Sequence, residues 1–229
     1  MNGSWPTAPI LPGLDLAARF ERIVQTNLWG APTSASGIGS ETAATAAVTE
    51  ALPNLLQRLG VRSLLDAPCG DAGWIADCIQ DVDYTGVDIV SSLIAANVLR
   101  AQRGEIAGRF LTANITRDVL PGADLILCRD CLVHLSFDNI HRVVARFRAS
   151  GARWLLTTTF PEFEVNSDCE DGDWRALNMQ CAPFNWPTPV ELINERCAEG
   201  DGGWRDKSLG LWRLVDLPAP ITRQRPGSL

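Results

Sequence analysis

The sequence predicts an α/β protein: a doubly wound sheet of seven strands with a C-terminal antiparallel hairpin. Short apolar runs alternate with helical stretches from residue 62 onward. Within the runs, apolar and polar residues do not alternate as they do in half-exposed strands. Such runs are typical of parallel strands that helices cover on both faces. Because 229 residues suffice for one such core and are short for two, we expect a single domain over 1–229.

The first sixty residues precede this alternation. Residues 1–13 hold three prolines and two glycines and are predicted to form a flexible arm. Residues 14–60 are predicted to form an N-terminal helical cap, with helices over 14–28 and 42–59 and a helix end at Gly60. Between these helices lie Trp29 and a Gly/Ser-rich loop, Ser36–Ser40, which can fold over a ligand or form a plain surface loop.

Five apolar runs are predicted to be parallel strands, and one helix between them is especially clear. Ser136 can cap a helix over 136–148, in which Ile140, Val143, Val144 and Phe147 share one face. The predicted strands are Arg62–Ala67, Asp83–Asp88, Arg109–Ala113, Ala123–Cys128 and Arg153–Phe160.

The C-terminal third is less regular. The hydrophobic residues of 161–187 show neither helical nor strand periodicity. A long segment of this kind inside a compact domain is usually functional or disordered. Residues 188–191 can begin a helix, because Thr188 and Glu191 match a capping box. We favour a strand over 190–197, since a final hairpin needs a partner for a strand at Gly210–Leu217. Residues 218–229, rich in proline, are predicted to be a tail.

Composition excludes several classes of function. The net charge of −7 and the scattered arginines disfavour a nucleic-acid partner. No run of 18 apolar residues could span a membrane, and residues 1–13 lack the pattern of a secretory signal, so we expect a cytoplasmic protein. Seven cysteines with one C-x-x-C (Cys128 and Cys131) and two histidines do not assemble a zinc site, so no metal is expected.

One strand–turn segment carries the chemistry. Asp66 ends the first apolar run, and a turn of small residues follows through Gly70 to Trp74, where we expect a helix to start. Such a turn lets the backbone approach a ligand, and a helix N-terminus offers unpaired N–H groups. Asp88 ends the second run 22 residues after Asp66, which is the separation of an acid that accepts hydrogen bonds from ribose hydroxyls.

Residues 62–160 resemble the class I S-adenosylmethionine-dependent methyltransferases. Pro68, Gly70 and Ala72 stand at the three glycine positions of the family's first motif, and Asn114 stands at the acidic position of its third. The segments D-A-P-C-G-D and C-R-D-C-L-V-H-L are similar to those of a bacterial subgroup. The resemblance implies a Rossmann-like methyltransferase domain that binds S-adenosylmethionine. The cofactor-binding residues that it implies are Trp29, Asp66, Ala67, Gly70, Trp74, Asp88, Ile89, Asn114, Ile115 and Arg129.

Asp130 and His134 follow the fourth predicted strand, at the end of the sheet where doubly wound folds bind ligands. Either residue can act as a general base on an acceptor hydroxyl. Alternatively, Asp130 forms an ion pair with Arg129 or has a capping role, and His134 orders the start of the next helix.

The acceptor is expected to be a small molecule or glycan, methylated on oxygen or nitrogen, with 161–187 as an acceptor-side insertion. Its six acidic residues against one arginine favour a neutral or amine acceptor. Alternatively, the segment is a solvated surface excursion. The predicted substrate-binding residues are Asn166, Trp174, Arg175 and Asn178.

Two other functions remain open. A nicotinamide-dependent oxidoreductase would need glycines at 68, 70 and 73, but Pro68 lacks the backbone N–H that a pyrophosphate requires. A non-catalytic S-adenosylmethionine-binding module would bind the cofactor without releasing S-adenosylhomocysteine.

Overall fold

The computed structural model describes residues 13–219. The predicted arm, apart from Gly13, and the predicted tail beyond residue 219 lie outside the described residues. No helix within 13–219 is both long enough and apolar enough to cross a lipid bilayer.

The core is a seven-stranded sheet in the order β3-β2-β1-β4-β5-β7-β6. The first five strands are parallel, whereas β7 runs antiparallel to both β5 and β6. The predicted seven-stranded α/β sheet with a C-terminal antiparallel hairpin is therefore confirmed. The strands are β1 (Ser63–Asp66), β2 (Asp83–Asp88), β3 (Arg109–Thr112), β4 (Leu125–Cys128), β5 (Trp154–Thr159), β6 (Glu191–Asn194) and β7 (Ser208–Arg213).

Four α-helices accompany the sheet, and their ends follow local sequence signals. The second helix ends at Gly60, whose φ of 64° is a left-handed conformation that glycine adopts without strain. The fourth helix begins after Ser136, whose hydroxyl accepts a hydrogen bond from the Asn139 N–H. The helices are α1 (Leu16–Gln25), α2 (Thr42–Leu59), α3 (Ser91–Gln102) and α4 (Phe137–Ala149).

The helix expected at Trp74 is wrong. Between β1 and β2 the chain forms turns and one short 3₁₀ helix, Ala76–Cys78. Gly70 and Ala72 have φ values of 53° and 48°, which no right-handed helix can contain. Fully buried Ile75 and Ile79 nevertheless pack into the core, so this irregular segment covers the sheet where a crossover helix would.

The capping-box interpretation of Thr188 is also wrong, because Glu191–Asn194 is extended and pairs with β7. The last strand begins two residues earlier than expected and ends at Arg213, after which Leu214–Asp216 forms a 3₁₀ turn.

The irregular segment 161–187 is a structural part of the domain rather than a solvated excursion. Leu177, Met179, Phe184 and Trp186 are buried in the same core cluster as the inner face of α4. Its backbone pairs with the end of β5, where the Phe160 N–H donates to the Leu177 carbonyl.

Candidate functional site

A pocket opens at the carboxyl ends of β1 to β4, and α1 and the α1–α2 loop form its other wall. Open α/β sheets bind ligands at this edge, because the connections that follow two neighbouring strands turn to opposite faces of the sheet and leave a crevice between them. The sequence-predicted residues that line it are Trp29, Asp66, Gly70, Trp74, Asp88, Ile89, Asn114, Ile115, Arg129, Asp130 and His134. Ala67 is fully buried and is not among the lining residues.

Asp66 contributes a buried carboxylate to the floor of the pocket. The Tyr84 hydroxyl donates to its Oδ2 at 2.8 Å. Burial is the main reason that the pKa of Asp66 rises to about 7, and the Tyr84 hydrogen bond opposes that rise. The carboxyl therefore changes protonation near neutral pH, and a cation in the pocket would favour its ionised form.

Asp88 lies at the end of the neighbouring strand and organises the backbone around it. Oδ2 accepts from the Gly70 N–H and Oδ1 accepts from the Val90 N–H, both at 2.9 Å. Burial raises the pKa of Asp88 to about 6, and these hydrogen bonds oppose the rise. Each carboxylate oxygen retains capacity for a further donor, so Asp88 can still accept from a ligand.

The turn after β1 does not offer the unpaired N–H groups expected of it. Besides the Gly70–Asp88 bond, the Asp71 N–H donates to Ser36 Oγ, the Ala72 N–H to the Cys69 carbonyl, and the Gly73 N–H to Asp71 Oδ1. All four donors are therefore satisfied within the chain.

Asn114 lies at the end of β3, next to apolar Ile115. Its Oδ1 accepts from both the N–H and the hydroxyl of Thr116, at 2.9 and 2.7 Å. Because an amide oxygen has two lone pairs, the side chain has no acceptor left for an adenine amine, and only its NH₂ can still donate.

The α1–α2 loop covers the turn. Ser34 Oγ and the Ala35 N–H both donate to Asp71 Oδ2, at 2.7 and 2.8 Å. The Ser36 hydroxyl lies so close to Gly70 that a Cβ added there would be 2.1 Å from its oxygen. Residues 33–41, which we call the lid, thus pack directly on the site.

Asp130 and Arg129 belong to a buried network of four charges. Arg129 Nη1 lies 3.4 Å from Asp130 Oδ2, so the pair that the sequence offered as the alternative for Asp130 is present. The sequence did not indicate the other two members, Glu195 and Lys207. Arg129 binds Glu195 through two nitrogens, at 3.2 and 2.6 Å. Lys207 Nζ lies 2.6 Å from Asp130 Oδ2 and 3.4 Å from Glu195 Oε2. Despite the desolvation that raises it, the pKa of Asp130 falls to about 2 because the cations of Lys207 and Arg129 favour its ionised form.

We expect His134 to be a neutral imidazole at neutral pH. Burial is the main cause that lowers its pKa to about 4. Its Nδ1 lies 2.8 Å from the Asp173 carbonyl, which can only accept, so the neutral ring carries its proton on Nδ1 and its lone pair on Nε2. The Trp29 indole packs against this ring at a tilt of 32°, with the ring centroids 4.8 Å apart.

The four predicted substrate-binding residues do not line this pocket. Arg175 is buried and donates to the carbonyls of Leu132, Leu135 and Ser167. Asn166 and Asn178 likewise bind backbone groups, with Asn178 Nδ2 donating to the Phe163 carbonyl at 2.7 Å.

Trp174, the remaining member of that set, packs against Phe160 and Trp204. The contacts of these four side chains are therefore with the protein itself: the two asparagines bind within 161–187, and Arg175 joins that segment to the loop before α4.

The sequence did not identify Lys207 and Glu195 as site residues. It also did not identify apolar residues of the pocket wall such as Phe20, Leu93 and Leu135. One signal for Lys207 was present, because the chain's 20 Lys and Arg residues include a single lysine. Glu195 gave no such signal, since it is one acid among many.

No protein-family model and no curated protein matches the sequence. Solved structures share its architecture. The 1,6-didemethyltoxoflavin N1-methyltransferase of Burkholderia thailandensis, solved with 1,6-didemethyltoxoflavin and S-adenosylhomocysteine, aligns over 86% of both chains with a TM-score of 0.58 and 20% identity. Human N-acetylserotonin methyltransferase, solved with S-adenosylmethionine, aligns over 86% of this chain and 56% of its own, with a TM-score of 0.53 and 10% identity.

The magnesium protoporphyrin IX methyltransferase of Synechocystis PCC 6803 aligns over 51% of this chain and 56% of its own, with a TM-score of 0.43 and 16% identity. The chain therefore matches little more than half the length of several of these proteins. At such identities the likeness establishes the fold, a Rossmann-like sheet with antiparallel C-terminal strands.

Proposed function

We propose that the protein is an S-adenosylmethionine-dependent methyltransferase that acts on a nitrogen or an acidic hydroxyl of a small molecule. One observation carries the proposal: Asp66, Asp88, Asn114 and Arg129, from the ends of four adjacent strands, line one pocket. The similar architecture of methyltransferases solved with this cofactor or its product supports the assignment.

The chemistry of the pocket suits S-adenosylmethionine. Asp88 is an acceptor for ribose hydroxyls, and Asp66 is an acceptor for a cationic group. Ile89, Leu93 and Ile115 provide apolar walls for a flat heterocycle, although Asn114 can contribute only N–H donors. The proposed cofactor-binding set is therefore the pocket-lining one, without Ala67.

The same pocket suits a nicotinamide dinucleotide poorly. A pyrophosphate needs free backbone N–H groups at a helix N-terminus. Here the N–H groups of Gly70 through Gly73 are already satisfied, and no α-helix follows the turn within the described segment 71–82. A sulfonium cofactor carries no phosphate and makes no such demand.

When bound, S-adenosylmethionine supplies an electrophilic methyl group on a sulfonium. The chain contributes alignment, which can lower a barrier by roughly 7–11 kcal/mol. It contributes little basicity, since the pKa of Asp130 is about 2 and that of His134 about 4. The general-base role expected of these residues is therefore not supported, and a nucleophile that needs no strong base fits best.

The acceptor wall that we propose is formed by Phe20, Trp29, His134 and Leu135 rather than by residues 161–187. Aromatic rings and aliphatic side chains on one wall favour a flat acceptor with an apolar face.

Calorimetry of the purified protein with S-adenosylhomocysteine and, separately, with NAD tests the proposal. We expect S-adenosylhomocysteine to bind and NAD not to bind; the reverse would overturn it. Release of S-adenosylhomocysteine from S-adenosylmethionine across a panel of small aromatic amines and phenols then distinguishes an enzyme from a non-catalytic binding module.

A further inference from the structure

Lys207 is the only lysine in the chain, and it is buried inside the pocket's charge network. Its side chain is 8% exposed, which is unusual for lysine unless an anion compensates it. Residues 195 and 207 are joined by a backbone hydrogen bond from the Glu195 N–H to the Lys207 carbonyl. The β6–β7 pairing therefore fixes where the ammonium group lies.

Each cation of the charge network has a different main anionic partner. Arg129 already holds both oxygens of Glu195, whose side chain is 1% exposed. Lys207 is closer to Asp130 than to Glu195, at 2.6 against 3.4 Å. Arg129 also lies 3.4 Å from Asp130. Lys207 is thus the principal counter-ion of Asp130.

Asp130 is the one anion of the network that faces the pocket. Its side chain is 22% exposed, and Oδ2 is taken by Lys207. The only hydrogen bond to Oδ1 from a described residue is a long one, 3.5 Å from the Thr158 hydroxyl. Oδ1 therefore has free acceptor capacity.

The lid lies over the ion pair formed by Asp130 and Lys207. A Cβ added to Gly39 would lie 2.6 Å from Asp130 Oδ2 and 3.5 Å from Lys207 Nζ. A lid backbone this close limits the access of water to the ion pair, which strengthens its electrostatic interactions.

We propose that Lys207 is a positioning residue that holds Asp130 ionised, so that Asp130 Oδ1 accepts a hydrogen bond from an O–H or N–H group of the acceptor. This proposal rests on the proposed function for the identity of the bound molecule. It assigns the site a recognition element for neutral hydrogen-bond donors, with the tilted rings of Trp29 and His134 beside it.

A phenol and anisole pair tests it, because the two rings differ in the O–H donor. Protein labelled with ¹⁵N-lysine gives one Nζ resonance, and Lys207→Met confirms its assignment. We expect phenol to shift this resonance and to bind about tenfold or more tightly than anisole, the difference expected for a hydrogen bond to a charged group. Equal binding of the two rings, or an unmoved Nζ resonance, would overturn the proposal.

The variants separate positioning from folding. Lys207→Arg keeps the charge and should retain the preference for phenol, whereas Lys207→Met should lose it. Asp130→Asn keeps the size of the side chain and should lose the preference even if Lys207→Met does not fold. A full preference in Asp130→Asn would contradict the proposal. Calorimetry with S-adenosylhomocysteine on the same samples reports independently on the proposed function.

Discussion

Ser34 donates its hydroxyl hydrogen to Asp71 Oδ2 at 2.7 Å, although the two residues lie 37 positions apart in the chain. The same carboxylate oxygen accepts from the Ala35 N–H, and Asp71 in turn donates its N–H to Ser36. Asp71 is therefore the main attachment point between the lid and the turn.

Asp71→Ala should release the lid. Loss of the carboxylate removes two hydrogen bonds to a charged group, so the closed lid becomes less populated and ligand affinity falls with it. We expect faster amide exchange at Ala35 and about tenfold weaker binding of S-adenosylhomocysteine, measured by hydrogen exchange and calorimetry. Asp77→Ala, at an exposed acid of the same segment, is the control. Unchanged exchange at Ala35 would refute the attachment.

Asp88→Asn should weaken S-adenosylhomocysteine by about 10- to 100-fold, because a hydrogen bond to a charged group contributes about 1.5–3 kcal/mol. The melting temperature should also fall, since an amide nitrogen cannot accept from Gly70 or Val90. Asp83→Asn is the matched control, because Asp83 begins the same strand and is 68% exposed. Equal dissociation constants for the two variants would contradict the ribose assignment.

Asp66→Asn should stabilise the protein selectively at high pH. The folded pKa of Asp66 is about 7, above its ordinary value of 3.8, so its stabilisation is fully present below about pH 4 and is lost as pH rises through 7. The gain from Asn over Asp should be larger at pH 8.5 than at pH 5 by about 2–3 kcal/mol. Urea unfolding of both proteins at the two pH values measures it, and a pH-independent difference would argue against a raised pKa.

Arg175→Met should destabilise the fold without changing ligand affinity. The guanidinium satisfies three backbone carbonyls that join 161–187 to the loop before α4, and their loss should lower the free energy of unfolding by about 3 kcal/mol. S-adenosylhomocysteine affinity should stay within about threefold. Arg205→Met, at a side chain 79% exposed, should change neither quantity. A large loss of affinity with normal stability would instead restore Arg175 to the pocket.

Local sequence predicted the strands and the charged residues that line the pocket, because each of these residues lies at or just after the end of a predicted strand. An apolar run that ends in Asp88 identifies a buried strand and its ligand-binding end together, and β2 has the predicted bounds. The turn at Gly70 was different. Its conformation depends on hydrogen bonds that its N–H groups donate to Ser36 and Asp88, which lie far away in sequence. A run of small residues alone therefore could not show that no α-helix follows.

The chemistry of Asp130 was likewise beyond local prediction. Its position after β4 placed it in the pocket, but its partner Lys207 is 77 residues away. An isolated Asp–His pair suggests a base, whereas the ion pair makes Asp130 a weak one. Arg175 also differs from its prediction. Its place in the segment after β5 suggested a substrate contact, whereas its guanidinium donates to backbone carbonyls.

The place of β7 between β5 and β6 affects how the chain can fold as it leaves the ribosome. β6 emerges before β7 but has no partner strand until β7 is available, so the β5 edge stays open from the time that β5 emerges until β7 does. Glu195 and Lys207 arrive in the same late portion, so a nascent chain that stops before them buries Arg129 without its counter-ion. Nascent chains arrested near residue 190 should therefore need chaperone protection of that edge, and release of some twenty further residues should end the need.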